Sequence, residues 1–320
     1  MREIGGYLEL DTYRLPMLHE QAIALNSGRN CLAYLIQKKN IKKIYIPKLL
    51  CASVGNVCRR ENVEIIYYSV GLDFHPINID ADENDWVYIV NYYGQIPNDA
   101  LREYKKKYNN LIVDNIQAYF QEPVSEIDTI YTCRKFLGVT DGAFLYSDIE
   151  EDSDLEIDKS YGRMTFLLGR YEEAASEFYS DYASSEEEFE RMPVRKMSKL
   201  TNNLLHGIDY KYIEDRRTGN FMFLHEKLKK VNKLQLNIPK GPYMYPFLIE
   251  GGMSVRKKLQ AQKIYIATLW PDVFDLCKQT DLEYNMANNI LPLPVDQRYG
   301  SEDMEYLTEK IKNIIECHDG

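Results

Sequence analysis

The chain has 320 residues, more than a single hydrophobic core usually holds, so two lobes or one large α/β domain with an appendage are expected. A net charge of −10 with an ordinary apolar fraction describes a globular protein and argues against nucleic acid or anionic membrane surfaces as general partners. The six cysteines show no C-x-x-C pair or metal-ligand rhythm, the start "MREIGGYLELD" lacks an apolar signal core, and no apolar run reaches a membrane-spanning length. A cytoplasmic setting with reduced thiols is therefore expected.

In chain order, "LNSGRNCLAYLIQKKN" places Leu32, Leu35 and Ile36 at helical spacing, with Asn26 or Ser27 as the N-cap. "KIYIP" reads as a strand, "SVGNVCRREN" as a helix, and "VEIIYYSV" and "DWVYIVNYYG" as strands. "DALREYKKKYN" is a helix, followed by the strands "NLIVDN", "DTIYT" and "GAFLY". Short β-rich runs alternating with amphipathic helices predict a mostly parallel central sheet covered on both faces. Such sheets bind ligands at the carboxyl ends of their strands, where Asp114 and Lys135 both fall.

Between Asp148 and Glu190 the periodicity loosens, and "DIEEDSDLEID" and "SSEEEFE" read as a solvated acidic excursion with helical pieces. "MSKLTNNLLHGIDYKYIEDRRTGNFMFLHEKLKKV" is long enough for a helix linking two lobes. Then come strand "YPFLIE", helix "SVRKKLQAQK", strands "IYIATLW" and "NILPLPV", and a last helix with Met304, Leu307, Ile311 and Ile314 in one apolar stripe. The expected division is a large domain over 1–215 and a small C-terminal α/β sandwich over 216–320.

"DADENDW" opens like a calcium loop but has Asp85 at the glycine position and Asn91 at the closing glutamate, so it reads as a turn. Phosphate-loop, dinucleotide and zinc-protease motifs are missing, and no metal site is expected. Three features are weak singly. "NSGRN" is a small-residue turn into a helix, which suits a phosphate or is an ordinary helix start. Asp114, with Gln117 three residues on, faces a ligand or caps the next helix. Lys135 sits between two strands that carry it to the binding edge, where lysines are mostly solvated. Together they supply what pyridoxal phosphate needs: an anion cradle, an acid for the ring nitrogen and an amine for the aldehyde.

At this point the sequence resembles the DegT/DnrJ/EryC1/StrS family of sugar aminotransferases, of fold type I. The matching residues are "LNSGRNCL" for the family's phosphate turn, "VDNIQA" for its E-D-x-A-Q-A, "KFLGVTDGAFL" for its K-x-L-x-x-x-G-E/D-G-G and "NYYGQIP" for its H-x-Y-G-x-x. "RRTGNF", "IYIATLWP" and "LPLPVDQRYGSEDMEYL" continue the order to the end. The resemblance implies that Lys135 holds the cofactor and moves the proton, Asp114 pairs with the ring nitrogen, and Gln117 lies against the ring or its hydroxyl. Gly28, Arg29 and Asn30 would meet the phosphate through their amides, and Thr132 would replace a phosphate-binding serine. Tyr93 and Arg134 are candidate substrate contacts.

The implied reaction moves an amino group from an amino acid donor, glutamate, to a keto-sugar, nucleotide-linked, in surface polysaccharide synthesis. It implies a homodimer with a shared active site. Departures stand at Arg29, at Cys51 where the family often stacks an aromatic, at the tighter "TCRK", and at Ala143 in place of a glycine. They leave two alternatives open: another pyridoxal phosphate reaction such as sugar dehydration, in which a histidine replaces the lysine, or a non-catalytic sensor or scaffold.

Overall fold

In the computed structural model, which describes residues 4–316, eight strands form one sheet. They are β1 (Ile23–Leu25), β2 (Lys43–Pro47), β3 (Glu64–Val70), β4 (Pro76–Ile77), β5 (Trp86–Val90), β6 (Asn110–Asp114), β7 (Asp128–Thr132) and β8 (Ala143–Tyr146). Their spatial order is β1-β8-β7-β6-β5-β2-β3-β4. The five central strands β3, β2, β5, β6 and β7 are mutually parallel, and β8 turns back antiparallel to both β7 and β1. This is the mostly parallel α/β sheet expected from the strand and helix signals.

The local chemistry explains these elements. Strands such as β5 and β6 bury nearly every residue, because helices cover both faces and leave no polar side. The helix Gly28–Lys39 starts at Ser27, whose hydroxyl accepts the Asn30 amide, and stops at Asn40 in the left-handed conformation. Helices Ala52–Arg60 and Asn98–Lys107 make the next crossovers, with lysines or arginines in their last turns, where the helix dipole favours cations.

A second, two-stranded antiparallel sheet pairs β9 (Met244–Leu248) with β10 (Ile290–Pro294). Phe221, Leu224, Tyr245, Phe247, Leu291 and Leu293 form its core together with the expected stripe Met304, Leu307, Ile311 and Ile314. Trp270, Val273, Met286 and Ile290 instead join the core under the large sheet.

Three expectations change. "IYIATLW" forms no strand: Tyr265 is exposed, and Trp270 takes a left-handed φ of 55° to turn its ring inward. The linking helix is two helices, Lys199–Leu205 and Tyr210–Leu228, broken at His206–Asp209, where Asp209 caps the second by accepting the Tyr212 amide. The acidic excursion has the expected helical pieces, but in the helix Tyr179–Arg191 Phe189 is buried and Glu186 and Glu190 are ion-paired, so it is not wholly solvated.

His19 marks a pH-sensitive point beside the large sheet. Its ring packs on Tyr131 at 4.2 Å and bonds the Tyr119 carbonyl at 2.8 Å. Burial outweighs that bond and lowers its pKa from 6.5 to about 4. The folded chain thus holds His19 neutral where the unfolded chain would protonate it. This stability is present above pH 6.5 and is lost as pH falls from 6.5 toward 4, by at most about 3 kcal/mol. Urea titrations across that window should show the slope in the parent chain, and His19→Gln should flatten it; equal slopes would refute this account.

Candidate active site

β6 ends on Asp114, which is 5% exposed. Its carboxylate accepts from the Tyr88 hydroxyl at 2.7 Å and from the Ile116 amide at 2.8 Å. Burial still wins and raises its pKa, against the charge of Lys135 and those two bonds. A buried carboxylate in this state lacks a full cationic partner.

Lys135 stands three residues beyond β7, in a segment fixed from several sides. Phe136, Leu137 and Val139 are buried, and the Phe136 and Leu137 amides both donate to the Cys133 carbonyl. Behind them Asp141 accepts from the Ser198 amide at 2.7 Å, the Ser198 hydroxyl at 2.8 Å and the Thr201 hydroxyl. Gly142 has φ of +108°, and a Cβ there would meet the Cys133 sulfur, so the glycine is required twice over. Lys135 and Gly138 are exposed between these anchors, and of the two only the lysine carries a side chain.

The amine sits 5.5 Å from the Tyr243 ring centroid. The protein around it disfavours the ammonium and lowers its pKa, opposed first by Asp114 and then by Cys51, while Arg134 adds to the lowering and Glu186 opposes it. Asp114 and Lys135 thus act on each other electrostatically from the ends of adjacent strands. A lysine with a depressed pKa is the form that attacks a carbonyl.

The helix Gly28–Lys39 starts beside this pair. A Cβ on Gly28 would lie 2.8 Å from Ile116 Cδ1, two residues past Asp114, so the missing side chain lets the helix start approach the strand end. The Asn30 amide is already capped by Ser27, at 3.3 Å from its hydroxyl and 3.1 Å from its carbonyl. The Asn30 side chain is buried against Asn26 and Pro193. The Gly28 and Arg29 amides have no partner among the described residues and could receive a phosphate. The Arg29 side chain pairs with Glu190 at 2.5 Å.

Gln117 accepts the Tyr93 amide at 2.9 Å, and Thr132 donates its hydroxyl to the Gly142 carbonyl at 3.2 Å. Tyr93 is buried, with φ of 53°, its ring near Phe74 and Trp270, and its hydroxyl without a partner among the described residues. Arg134 pairs with Glu186. Concavities of about 260 and 330 Å³ include Cys51 and Gln117 in their respective walls, and neither is lined by Lys135 or Asp114. The mutually perturbed pair, not the larger hollow, is the candidate centre of the site.

Sequence reasoning missed Tyr88, Glu186, Arg217 and Tyr243. Tyr88 lies within the expected strand "WVYIV", and its hydroxyl finds Asp114 only across the β5–β6 pairing. Arg217 is 2% exposed and ties the lysine segment to the second sheet. It donates to the carbonyls of Phe136 at 3.2 Å and Pro242 at 3.1 Å, and to the Gln297 side chain at 2.9 Å. Burial pulls its pKa down to about 10, against the pull of Asp296. Arg217→Met should cost about 3–5 kcal/mol, because it strands those acceptors in the interior. Chemical denaturation measures this, and a loss under about 1 kcal/mol would show that the strut is dispensable.

No family model and no curated protein matches the chain. Solved structures similar in fold include a DegT DnrJ EryC1 StrS aminotransferase from Brucella abortus, at TM-score 0.61 and 14% identity, covering 92% of this chain and 85% of that one. The sugar aminotransferase CalS13 from Micromonospora echinospora gives 0.61 and 13%, covering 92% and 87%. NtdA from Bacillus subtilis, with bound pyridoxamine phosphate, gives 0.64 and 11%, covering 92% and 73%.

Proposed function

We propose that the chain is a pyridoxal phosphate-dependent aminotransferase acting on a sugar. The single observation carrying this is the Asp114–Lys135 pair: a buried acid short of a cation and an exposed, pKa-depressed amine on one sheet edge, beside a helix start with two unpartnered amides. The residues fit the cofactor. Asp114 would hold a proton on the ring nitrogen, and the Gly28 and Arg29 amides would hold the phosphate. Gln117, fixed through the Tyr93 amide, would bound one edge of the ring, and Thr132 would brace the turn behind it. Bound there, the cofactor supplies a sink for the electrons released when a Cα–H bond breaks.

Lys135 would take and return the proton at that carbon, close enough to Asp114 for its basicity to be set by the same field. The intact lysine favours amino transfer over dehydration. The finer reading is a keto-sugar acceptor, nucleotide-linked, aminated at the expense of an amino acid such as glutamate in surface polysaccharide synthesis. A homodimer would complete the site. The 1–215 and 216–320 division would let the small domain close over the sugar. The family-like solved structures and the order of motifs along the chain support this reading.

Adding pyridoxal phosphate should turn the protein yellow, and borohydride followed by peptide mapping should place one stable label on Lys135. A label scattered over surface lysines, or no coloured species, would remove the proposal.

A further inference from the structure

The helix Tyr179–Arg191 buries only Ser185 and Phe189, and the preceding helix, Thr165–Glu172, buries none of its residues. Elements with so little apolar anchoring belong to the least stable part of a fold. Tyr182, Glu186, Phe189 and Glu190 recur at helical spacing and share one face. That face meets the candidate site. Glu190 pairs with Arg29 at 2.5 Å, Glu186 with Arg134, and Glu188 with Arg163 at 3.3 Å. The Phe189 ring lies 4.0 Å from the Arg134 guanidinium and 5.2 Å from that of Arg163. Glu186 also acts on the Lys135 amine.

The charges are segregated: three arginines on the body, three glutamates on the helix. Arg163 has a second, buried partner in Asp158 at 2.5 Å, so it stays satisfied without the helix. Arg29 and Arg134 have no carboxylate partner other than Glu190 and Glu186 among the described residues. These two flank the site, one in the helix-start turn and one next to Lys135. Lifting the helix would leave two arginines facing the cleft of a chain whose net charge is −10.

We propose that Arg29 and Arg134 form a subsite for the diphosphate of the substrate, occupied in the resting chain by Glu190 and Glu186, and that the helix Tyr179–Arg191 is a lid displaced by that exchange. A phosphate-type anion offers an arginine fork more oxygens and more charge than one carboxylate, so the exchange favours the ligand. With the lid shut, its carboxylates repel other anions. The cofactor's own phosphate would use the Gly28 and Arg29 amides, which leaves both guanidinium groups for the substrate. This subsite rests on the reading of Lys135 as the reaction centre.

Inorganic pyrophosphate serves as the probe, titrated calorimetrically into the full chain before and after pyridoxal phosphate is fixed with borohydride. Both forms should bind it. Glu186→Gln combined with Glu190→Gln should tighten binding about tenfold, because no carboxylate competes, and Arg134→Met should weaken it by about as much. Arg134→Lys, which keeps the charge and loses the fork, should fall between. In the parent chain pyrophosphate should speed tryptic cleavage at Arg170 and Arg191, whereas sodium chloride of equal ionic strength should not.

Equal affinities in the glutamine and parent chains, unchanged cleavage, or unchanged binding by Arg134→Met would overturn the subsite. So would binding confined to the cofactor-free form, which would make the site that of the cofactor's phosphate. An adventitious ion only, bound equally by every variant, is likewise a refutation. Failure of Lys135 to take the cofactor, with the pyrophosphate exchange intact in the cofactor-free chain, would sink the aminotransferase reading and with it the substrate assignment, leaving only an anion site at Arg29 and Arg134 under the helix.

Discussion

Lys135→Ala is expected to abolish the borohydride-stable label and to lower amino transfer by about 10²- to 10⁴-fold, the range that a positioned proton-transfer group supplies. The fold should survive. Lys135 is exposed, and its anchors (Phe136, Leu137, Val139 and Gly142) do not depend on its side chain. Its one ring contact is Tyr243, at 5.5 Å. The thermal midpoint should therefore move little while activity collapses. Removing the cation beside Asp114 should push that carboxyl's pKa further up, since Lys135 is the strongest influence opposing burial there. Small primary amines added to the variant should restore part of the proton transfer, because Lys135 is exposed and small amines can reach the place it vacates. Transfer by Lys135→Ala at the parent rate would refute the assignment.

Asp114→Asn separates a catalytic carboxylate from a structural one. The amide oxygen can still accept the Ile116 amide, while the NH2 group takes the other position and can donate to the Tyr88 hydroxyl, so the strand end keeps both contacts with one of them reversed. Activity should fall by about 10²- to 10³-fold, as when one preorganised electrostatic group is lost. Stability should respond in the opposite sense. The folded-state pKa of Asp114 is raised, so its contribution is most favourable below the ordinary carboxylate range and is lost as pH rises through the folded value. At neutral pH the buried charge is a burden, and the cofactor-free Asn variant should be no less stable than the parent. A variant that unfolds more easily yet transfers normally would make Asp114 a capping residue.

The linear order of apolar runs was enough to anticipate the sheet, because β5 and β6 are buried on both faces and read as nearly continuous hydrophobic runs, and β7 is rich in β-branched and aromatic residues. Asp114 and Lys135 could be placed at strand ends for the same reason, and Gly142 stands in a turn whose positive φ and close approach to Cys133 demand a glycine. Ser27 as a helix cap followed from its type and position. These are local properties, decided by spacing, backbone freedom and which side chains tolerate burial.

What pairs with what was decided only by the tertiary structure. "SSEEEFE" has the composition of a solvated face, and it became a contact surface because Arg29, Arg134 and Arg163 arrive opposite it from distant positions. Arg217 carries no sign in the linking segment of its burial, which comes from the carbonyls of Phe136, Pro242 and Tyr243 that the fold brings to it. "IYIATLW" has strand composition but forms no ladder, and Trp270 enters the core under the large sheet instead. Ion pairs, buried charges and strand ladders each need a partner far away in the chain, and local pattern carries no record of which partner arrives.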